Sequence, residues 1–293
     1  MLWHFGYYND PYPPEPPPKE FTYPKPEVPF DATIPFVTWI NHSSYLVKLD
    51  GKTFLTDPIW SDRCSPFNFI GPKRRHPPPI QISELPHIDY VIISHNHYDH
   101  LDKETVLQLS KLQPHIFWVV PHGVKKWIKR TLHTQNIVEL DWWDEVDHEG
   151  TLFTAVPAQH FSGRGLFDRN RTVWMGVVVE RKKRFYFAGD TGYNDFDFKE
   201  IGKHFGHMDL SLLPIGVYSP RRFMKSVHVN PEDTVRIHQD VQSQLSVGGH
   251  WWTFRLSCEL IDRPPYDLFL ALQEQELHPH SFRVLKPGET INW

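Results

Sequence analysis

Apolar residues in this chain fall into short runs separated by turn residues, and the spacing within each run predicts its type. Phe36-Val37-Thr38-Trp39-Ile40, Ser44-Tyr45-Leu46-Val47-Lys48-Leu49 and Lys52-Thr53-Phe54-Leu55-Thr56 are rich in β-branched and aromatic residues and predict three strands. Asp50-Gly51, between the last two, predicts a hairpin turn. Val91-Ile92-Ile93 predicts a buried strand. Beyond it, strand and helix signals alternate. A helix over 102–112 has Asp102 as N-cap and Thr105, Val106, Leu107, Leu109 and Leu112 at helical spacing. A strand over 116–120, a helix over 122–133 and a strand over 137–140 follow. Further strands are predicted at 151–156, 173–180, 184–188 and 209–213, the middle pair joined through Arg181-Lys182-Lys183. Asn230 as N-cap, Pro231 at the first position and the acids Glu232 and Asp233 open a helix over 231–242. A strand at 245–247, a helix over about 267–277 and a strand at 282–285 complete the series. Hairpins mixed with βα units predict a layered α/β protein of packed sheets with outer helices.

Two stretches break the pattern. Residues 1–34 are dominated by proline and aromatics, which excludes helix and central strand. The stretch is a disordered tail or an extended arm; Trp3, Phe5, Tyr7, Tyr8, Phe21 and Tyr23 favour an arm that packs on its own domain or on a neighbour, as in a homodimer. The folded domain is then 35–293, one unit because connections after residue 88 are tight. Residues 61–87, with Pro66, Pro72 and Pro77-Pro78-Pro79, read as a long irregular loop of functional or covering type, and its Lys73-Arg74-Arg75-His76 as a solvated patch.

Composition narrows the function classes. A formal net charge of −4 argues against a nucleic-acid partner. Two cysteines, Cys64 and Cys258, are too few for a disulfide scaffold, fit a reducing compartment and read as buried structural residues. No apolar run approaches the ~20 residues that span a bilayer. The N-terminus has neither the basic start nor the apolar core of a signal peptide. These features predict a cytoplasmic protein, soluble or peripherally membrane-associated.

The candidate chemistry lies in Ser94-His95-Asn96-His97-Tyr98-Asp99-His100, where a buried strand leaves the sheet. On extended chain, residues two apart face the same side, so His95 and His97 can reach one metal ion; a turn after them swings Asp99 and His100 toward a second. His160, Asp190 and His250 each follow a predicted strand in the same way, Asp190 within Gly189-Asp190-Thr191-Gly192. Five histidines and two aspartates suit two ions: His95, His97 and His160 at one, Asp99, His100 and His250 at the other, and Asp190 as a bridge. Imidazole and carboxylate favour zinc, with iron or manganese as alternatives. Asp99 and Asp190 are thereby catalytic as well, since the ions they hold would share the attacking hydroxide.

These residues resemble the metallo-β-lactamase superfamily, and within it the N-acyl-phosphatidylethanolamine-hydrolysing phospholipase D family and its bacterial relatives. The likeness extends over roughly residues 36–290. It includes Leu55-Thr56-Asp57-Pro58, Gly71-Pro72-Lys73-Arg74, the run Ile93 to Asp102, and Glu139-Leu140-Asp141-Trp142-Trp143. It continues in Phe187-Ala188-Gly189-Asp190-Thr191-Gly192-Tyr193, Pro214-Ile215-Gly216 and Val235-Arg236-Ile237-His238. The resemblance implies a four-layer αββα sandwich with two zinc ions at one edge. It also implies a phospholipid substrate, cleaved at a phosphodiester to give an N-acylethanolamine and a phosphatidate. Val227-His228-Val229-Asn230 stands where mammalian members carry Gln-His-Val-Asp. The stretch Phe161 to Asn170 is closer to the bacterial form. Both are expected to line the pocket. His228 is then a candidate to contact the phosphate or assist the leaving group, Arg164 a candidate phosphate clamp, and Arg221-Arg222-Phe223-Met224-Lys225 a candidate surface for anionic lipid. The alternative is another metallo-hydrolase on the same scaffold, a lactonase or a sugar-phosphate esterase.

Overall fold

Strands buried on both faces read as near-continuous apolar runs, and those of this chain carry apolar side chains toward both faces. In the computed structural model, which describes residues 17–22 and 31–293, β1 (Phe36–Asn41), β2 (Ser44–Leu49), β3 (Lys52–Thr56), β4 (Tyr90–Ile92), β5 (Phe117–Pro121) and β6 (Ile137–Leu140) form one sheet. A C-terminal strand, β14 (Thr290–Asn292), pairs antiparallel with β1 and closes its edge. The second sheet runs β13-β12-β11-β10-β9-β8-β7. Its strands are β7 (Glu145–His148), β8 (Thr151–Val156), β9 (Gly176–Glu180), β10 (Arg184–Phe187), β11 (Met208–Pro214), β12 (Ser243–Gly249) and β13 (Phe282–Val284). Each sheet is antiparallel at one end and parallel at the other.

The alternation sorts side chains into layers. Val47, Phe54, Tyr90, Ile92 and Val119 face Phe153, Val177, Val179, Phe185 and Leu212 across the inter-sheet core. Their neighbours Leu46, Leu55, Val91 and Trp118 point the other way, onto Val106 and Leu109 of α1 (Lys103–Leu112) and Ile128 of α2 (Lys125–Leu132). On the far side, Val178, Tyr186 and Leu213 meet α3 (Asp197–Phe205), α5 (Pro231–Asp240) and α6 (Pro264–Glu274). The result is the predicted αββα sandwich. Only a short helix, α4 (Arg221–Met224), stands on a loop.

Several elements differ from the sequence-based expectation. α6 begins at Pro264 rather than near 267, because proline is well placed in a first turn. β7 and β14 lie at sheet edges and are too short and polar to signal themselves. α3 carries Phe198, Ile201 and Phe205 on one buried face, but Gly202 interrupts the pattern. The 61–87 loop is irregular apart from a 3₁₀ turn at Ile82–Glu84. Its basic run is not uniformly solvated: Arg74 is buried, donating to the carbonyls of Ile59 and Ser61. Cys64 is buried and Cys258 half-buried. Of the N-terminal aromatics, Phe21 sits against Tyr266 and Phe269 of α6, with ring centroids 5.0 and 5.5 Å away; Trp3, Phe5, Tyr7, Tyr8 and Tyr23 lie outside the described residues.

Candidate metal centre

The C-terminal ends of β4, β8, β10 and β12 open along one edge of the sandwich. His95–His100 follow β4, His160 follows β8, Asp190 follows β10 and His250 follows β12. Gly189 lets the turn at Asp190 close: its φ is +62°, and a Cβ there would stand 2.6 Å from that of Ser94.

All seven side chains converge. His97 Nδ1 lies 2.8 Å from His95 Nε2 and 3.2 Å from His160 Nε2. Asp99 Oδ2 lies 3.3 Å from His100 Nε2 and 3.6 Å from His250 Nε2, and the two imidazole nitrogens are 3.2 Å apart. Asp190 stands between the groups. Its Oδ2 is 3.1, 3.7 and 3.9 Å from His100, His160 and His95, and its Oδ1 is 3.0 Å from His250. Donor atoms bound at ~2.0–2.1 Å around a tetrahedral ion stand roughly 3.3 Å apart, so both groups have the spacing of a coordination shell.

The tautomers agree. Asp57, a buried carboxylate after β3, accepts from Ser94 N (2.7 Å), Ser94 Oγ (2.5 Å) and His100 Nδ1 (2.7 Å). His100 therefore donates from Nδ1 and turns Nε2 inward, toward Asp99, Asp190 and His250. Ser94 Oγ, having donated to Asp57, accepts from His95 Nδ1 at 2.9 Å, and His160 Nδ1 donates to the Val227 carbonyl at 2.8 Å. Three imidazoles thus turn their Nε2 atoms inward. Burial holds His95 and His160 neutral, so their Nε2 lone pairs face the site beside His97, an arrangement that a cation among them would relieve.

Electrostatics points the same way. Burial alone would lower the His250 imidazole, yet the Asp190 carboxylate raises it to about 9. Burial likewise opposes ionisation of Asp190, and His100 and His250 overcome it, holding Asp190 well below the usual carboxylate range. The carboxylates recruit protons onto these imidazoles, and a divalent cation would displace those protons. The residues present therefore fit a pair of metal ions.

Two participants are not signalled by the ligand motif. Asp57 orients His100 and Ser94 from behind. His42, in the tip between β1 and β2, is buried and places Nε2 2.9 Å from Asp99 Oδ2. Asp99 can only accept, so His42 donates; burial and the nearby His250 hold His42 down to about 3, hence neutral. A bulge in β1 between Trp39 and Asn41 and a φ of +45° at His42 aim the ring inward.

The substrate residues proposed from sequence fare differently. His228 is at the site, its ring centroid 5.0 Å from that of His160 and 5.5 Å from that of His250. Burial lowers its pKa to about 4 despite Asp190, and its Nδ1 has no hydrogen-bond partner. Arg164 is engaged with the main chain. Its Nη1 donates to the carbonyls of Asn96 (2.8 Å) and Leu101 (2.7 Å), and its guanidinium lies 4.0 Å from the centre of the Tyr98 ring. It braces the ligand loop. Arg221 is equally engaged, with Asp233 and with the His228 carbonyl, and so fixes the main chain of His228. Arg222 is exposed above Phe223. Within 161–170, Leu166 and Phe167 face solvent rather than a pocket. Trp251 stacks on Trp39 at 5.4 Å and forms part of the wall behind His250.

Comparison with known proteins agrees with this geometry. A family model described as a β-lactamase superfamily domain matches residues 52–251. The chain is 42% identical to an N-acyl-phosphatidylethanolamine-hydrolysing phospholipase D of Caenorhabditis elegans, covering 87% of this chain and 74% of that one. It is 43% identical to an uncharacterised protein of Mycobacterium tuberculosis, covering 89% and 70%. The crystal structure of an isothiocyanate hydrolase from Delia radicum gut bacteria shares the fold, with a TM-score of 0.69 at 21% identity over 88% of this chain and 99% of that one. The chain belongs to the β-lactamase superfamily, as a metallo-hydrolase in the family of the N-acyl-phosphatidylethanolamine-hydrolysing phospholipases D.

Proposed function

We propose that this protein is a binuclear phosphodiesterase of phospholipase D type. Its reaction adds water across the phosphodiester of N-acyl-phosphatidylethanolamine, releasing N-acylethanolamine and phosphatidate. The observation that carries the reading is the convergence of His95, His97, Asp99, His100, His160, Asp190 and His250 at one edge, in a chain 42% identical to the nematode enzyme. His95, His97 and His160 would hold one ion, Asp99, His100 and His250 the other, with Asp190 reaching both; the donor set favours zinc, with iron or manganese as alternatives. When bound, the ions would supply a nucleophile at neutral pH, by lowering the pKa of water to about 7, and would offset charge gathering on the phosphate oxygens.

The chain's own residues do the rest. Asp57 and Ser94 hold His100 and His95 in the tautomers that face inward. His228, fixed through its carbonyl by Arg221 and neutral above about pH 4, would offer a ring nitrogen to hydrogen-bond the phosphate or the departing ethanolamine oxygen, whose proton comes from the water added as the P–O bond breaks. No helix among the described residues is long and apolar enough to cross a membrane, so the reading has the protein meet its lipid from outside the bilayer.

The test is release of N-acylethanolamine from detergent-dispersed lipid by metal-loaded protein. Turnover is expected, lost on chelation and in His97→Ala, and much reduced with metal content unchanged in His228→Ala. Metal-loaded protein that releases none, or that prefers a soluble lactone or sugar phosphate, would contradict the substrate assignment.

A further inference from the structure

Beside the metal centre the surface carries an apolar feature that hydrolysis does not explain. Two turns stand on either side of Tyr98, itself between the candidate ligands His97 and Asp99. One spans 64–72. Its base is closed by Cys64 N donating to the Pro72 carbonyl at 3.2 Å and by Arg63 Nη1 donating to the Gly71 carbonyl at 2.5 Å. Cys64 anchors it in a small cluster with Ile59 and Phe254, on which Tyr98 packs. Its tip presents Phe67, Phe69 and Ile70 to solvent, Phe69 being 75% exposed. The other turn spans 163–168. The Asp168 carboxylate accepts from the main-chain N–H groups of Arg164 and Gly165, Gly163 N donates to Asn96 Oδ1, and Tyr98 Oη donates to the Arg164 carbonyl. At its tip Leu166 and Phe167 are 91% and 84% exposed.

Large apolar side chains held this far into water mark a surface that something covers. The hydrogen bonds inside each turn keep the tips from folding back onto the protein. Charge identifies the cover. Residues 62–75 contain four basic side chains and one acidic, and 161–173 three basic and one acidic, in a chain of formal net charge −4. Arg74 and Arg164 turn inward, while Lys73, Arg75, Arg169 and Arg171 stay exposed beside the tips. Apolar tips with cations at their base match the two layers of an anionic bilayer surface, acyl chains below and phosphates above.

We propose that these two turns dock the protein on anionic phospholipid bilayers and thereby set the metal centre against the headgroup layer. The proposal rests on the phospholipid reading above for the substrate met there, and it moves the lipid-facing surface from α4 to the turns around Tyr98.

The test sediments the full chain with vesicles of phosphatidylcholine, alone or mixed with phosphatidylglycerol. The wild type is expected to bind the mixed vesicles, more weakly in high salt, and to bind the neutral ones least. The pairs Leu166→Asp with Phe167→Asp, and Phe67→Asp with Phe69→Asp, should each cut binding by about tenfold or more, since each removes two apolar anchors. Turnover of vesicle lipid should fall in step, while turnover of a short-chain lipid dissolved as monomers stays at the wild-type value. Wild type that ignores vesicles, or variants that bind as wild type does, would overturn the docking surface, and turnover of the dissolved lipid would judge the substrate reading separately. Tip-dependent binding with no lipid turned over in any form would support the surface and sink that reading. Variants that convert a dimer to a monomer in ultracentrifugation while still binding vesicles would assign the tips to a second copy and overturn the proposal.

Discussion

A buried imidazole that touches a candidate ligand carboxylate can be tested by itself. His42 donates to Asp99 Oδ2 and, in doing so, selects the carboxylate rotamer that faces His100 and His250. Losing an outer hydrogen bond of this kind typically costs about 10–100-fold in metal affinity. His42→Ala should weaken one of two metal-binding steps by that factor in calorimetry of the metal-free protein, and His42→Gln, which keeps a donor, should restore part of it. Equal loss in both variants would make His42 a packing residue. All seven candidate ligands can be read from the sequence because each lies a few residues past a β-branched or aromatic run. Asp57 obeys the same rule and reads as a turn only because Pro58 follows it. His42 obeys it too, directly after β1, but reads as part of the short turn into β2; its place depends on how the β1–β2 tip folds onto His250, whose N donates to the His42 carbonyl at 2.8 Å. Arg164 and Arg221 show the converse limit: residue type marks a cation, but its contacts with the Asn96, Leu101 and His228 carbonyls depend on packing.

At the scale of elements, α3 and α5 pack where Gly202 meets α5. A Cβ at Gly202 would lie 1.9 Å from the Asp240 carbonyl oxygen. Helix propensity favours Gly202→Ala by about 1 kcal/mol, but overpacking costs roughly 1–3 kcal/mol or more, so packing wins. The variant should melt a few degrees lower; a rise in Tm would show that the helices separate freely. α5 also carries His238, buried against β12 with Nδ1 2.8 Å from Ser246 Oγ. Burial holds its pKa at about 4. Because the folded value lies below the unfolded one, the unfolded chain takes up the proton first. Stability is therefore intact above pH ~6.5 and falls as pH drops toward 4, by roughly 3 kcal/mol from this group. His238→Gln should flatten that part of the Tm-versus-pH curve, and an unchanged slope would exonerate His238. Long strands and helices with clear start signals, such as α1 and α5, are legible in sequence, although Asp102 makes no cap bond to α1 where Asn230 does to α5. β7 and β14 are not, because edge strands bury too little to impose a pattern, and α3 is hidden by the very glycine its packing requires.

Over the whole molecule, two sheets place inner faces together and outer faces under helices, and the strand ends that result bring distant ligands to one edge. The αββα architecture follows from the alternation of hairpins and βα units. The pairing of β14 with β1, which ties residue 292 to Asp31 through Asn292, leaves no local mark in the sequence. The docking turns are likewise invisible in advance, since exposure of Leu166 and Phe167 is decided by the Asp168 turn beneath them. The central claim is that this edge holds two divalent cations. An anomalous-scattering map of crystals of the metal-loaded protein, collected at the absorption edge of the bound metal, tests it most directly. Two peaks are predicted, one among His95, His97 and His160 and one among Asp99, His100 and His250, with Asp190 between them. A single peak, or a pair lying away from these side chains, would contradict the account.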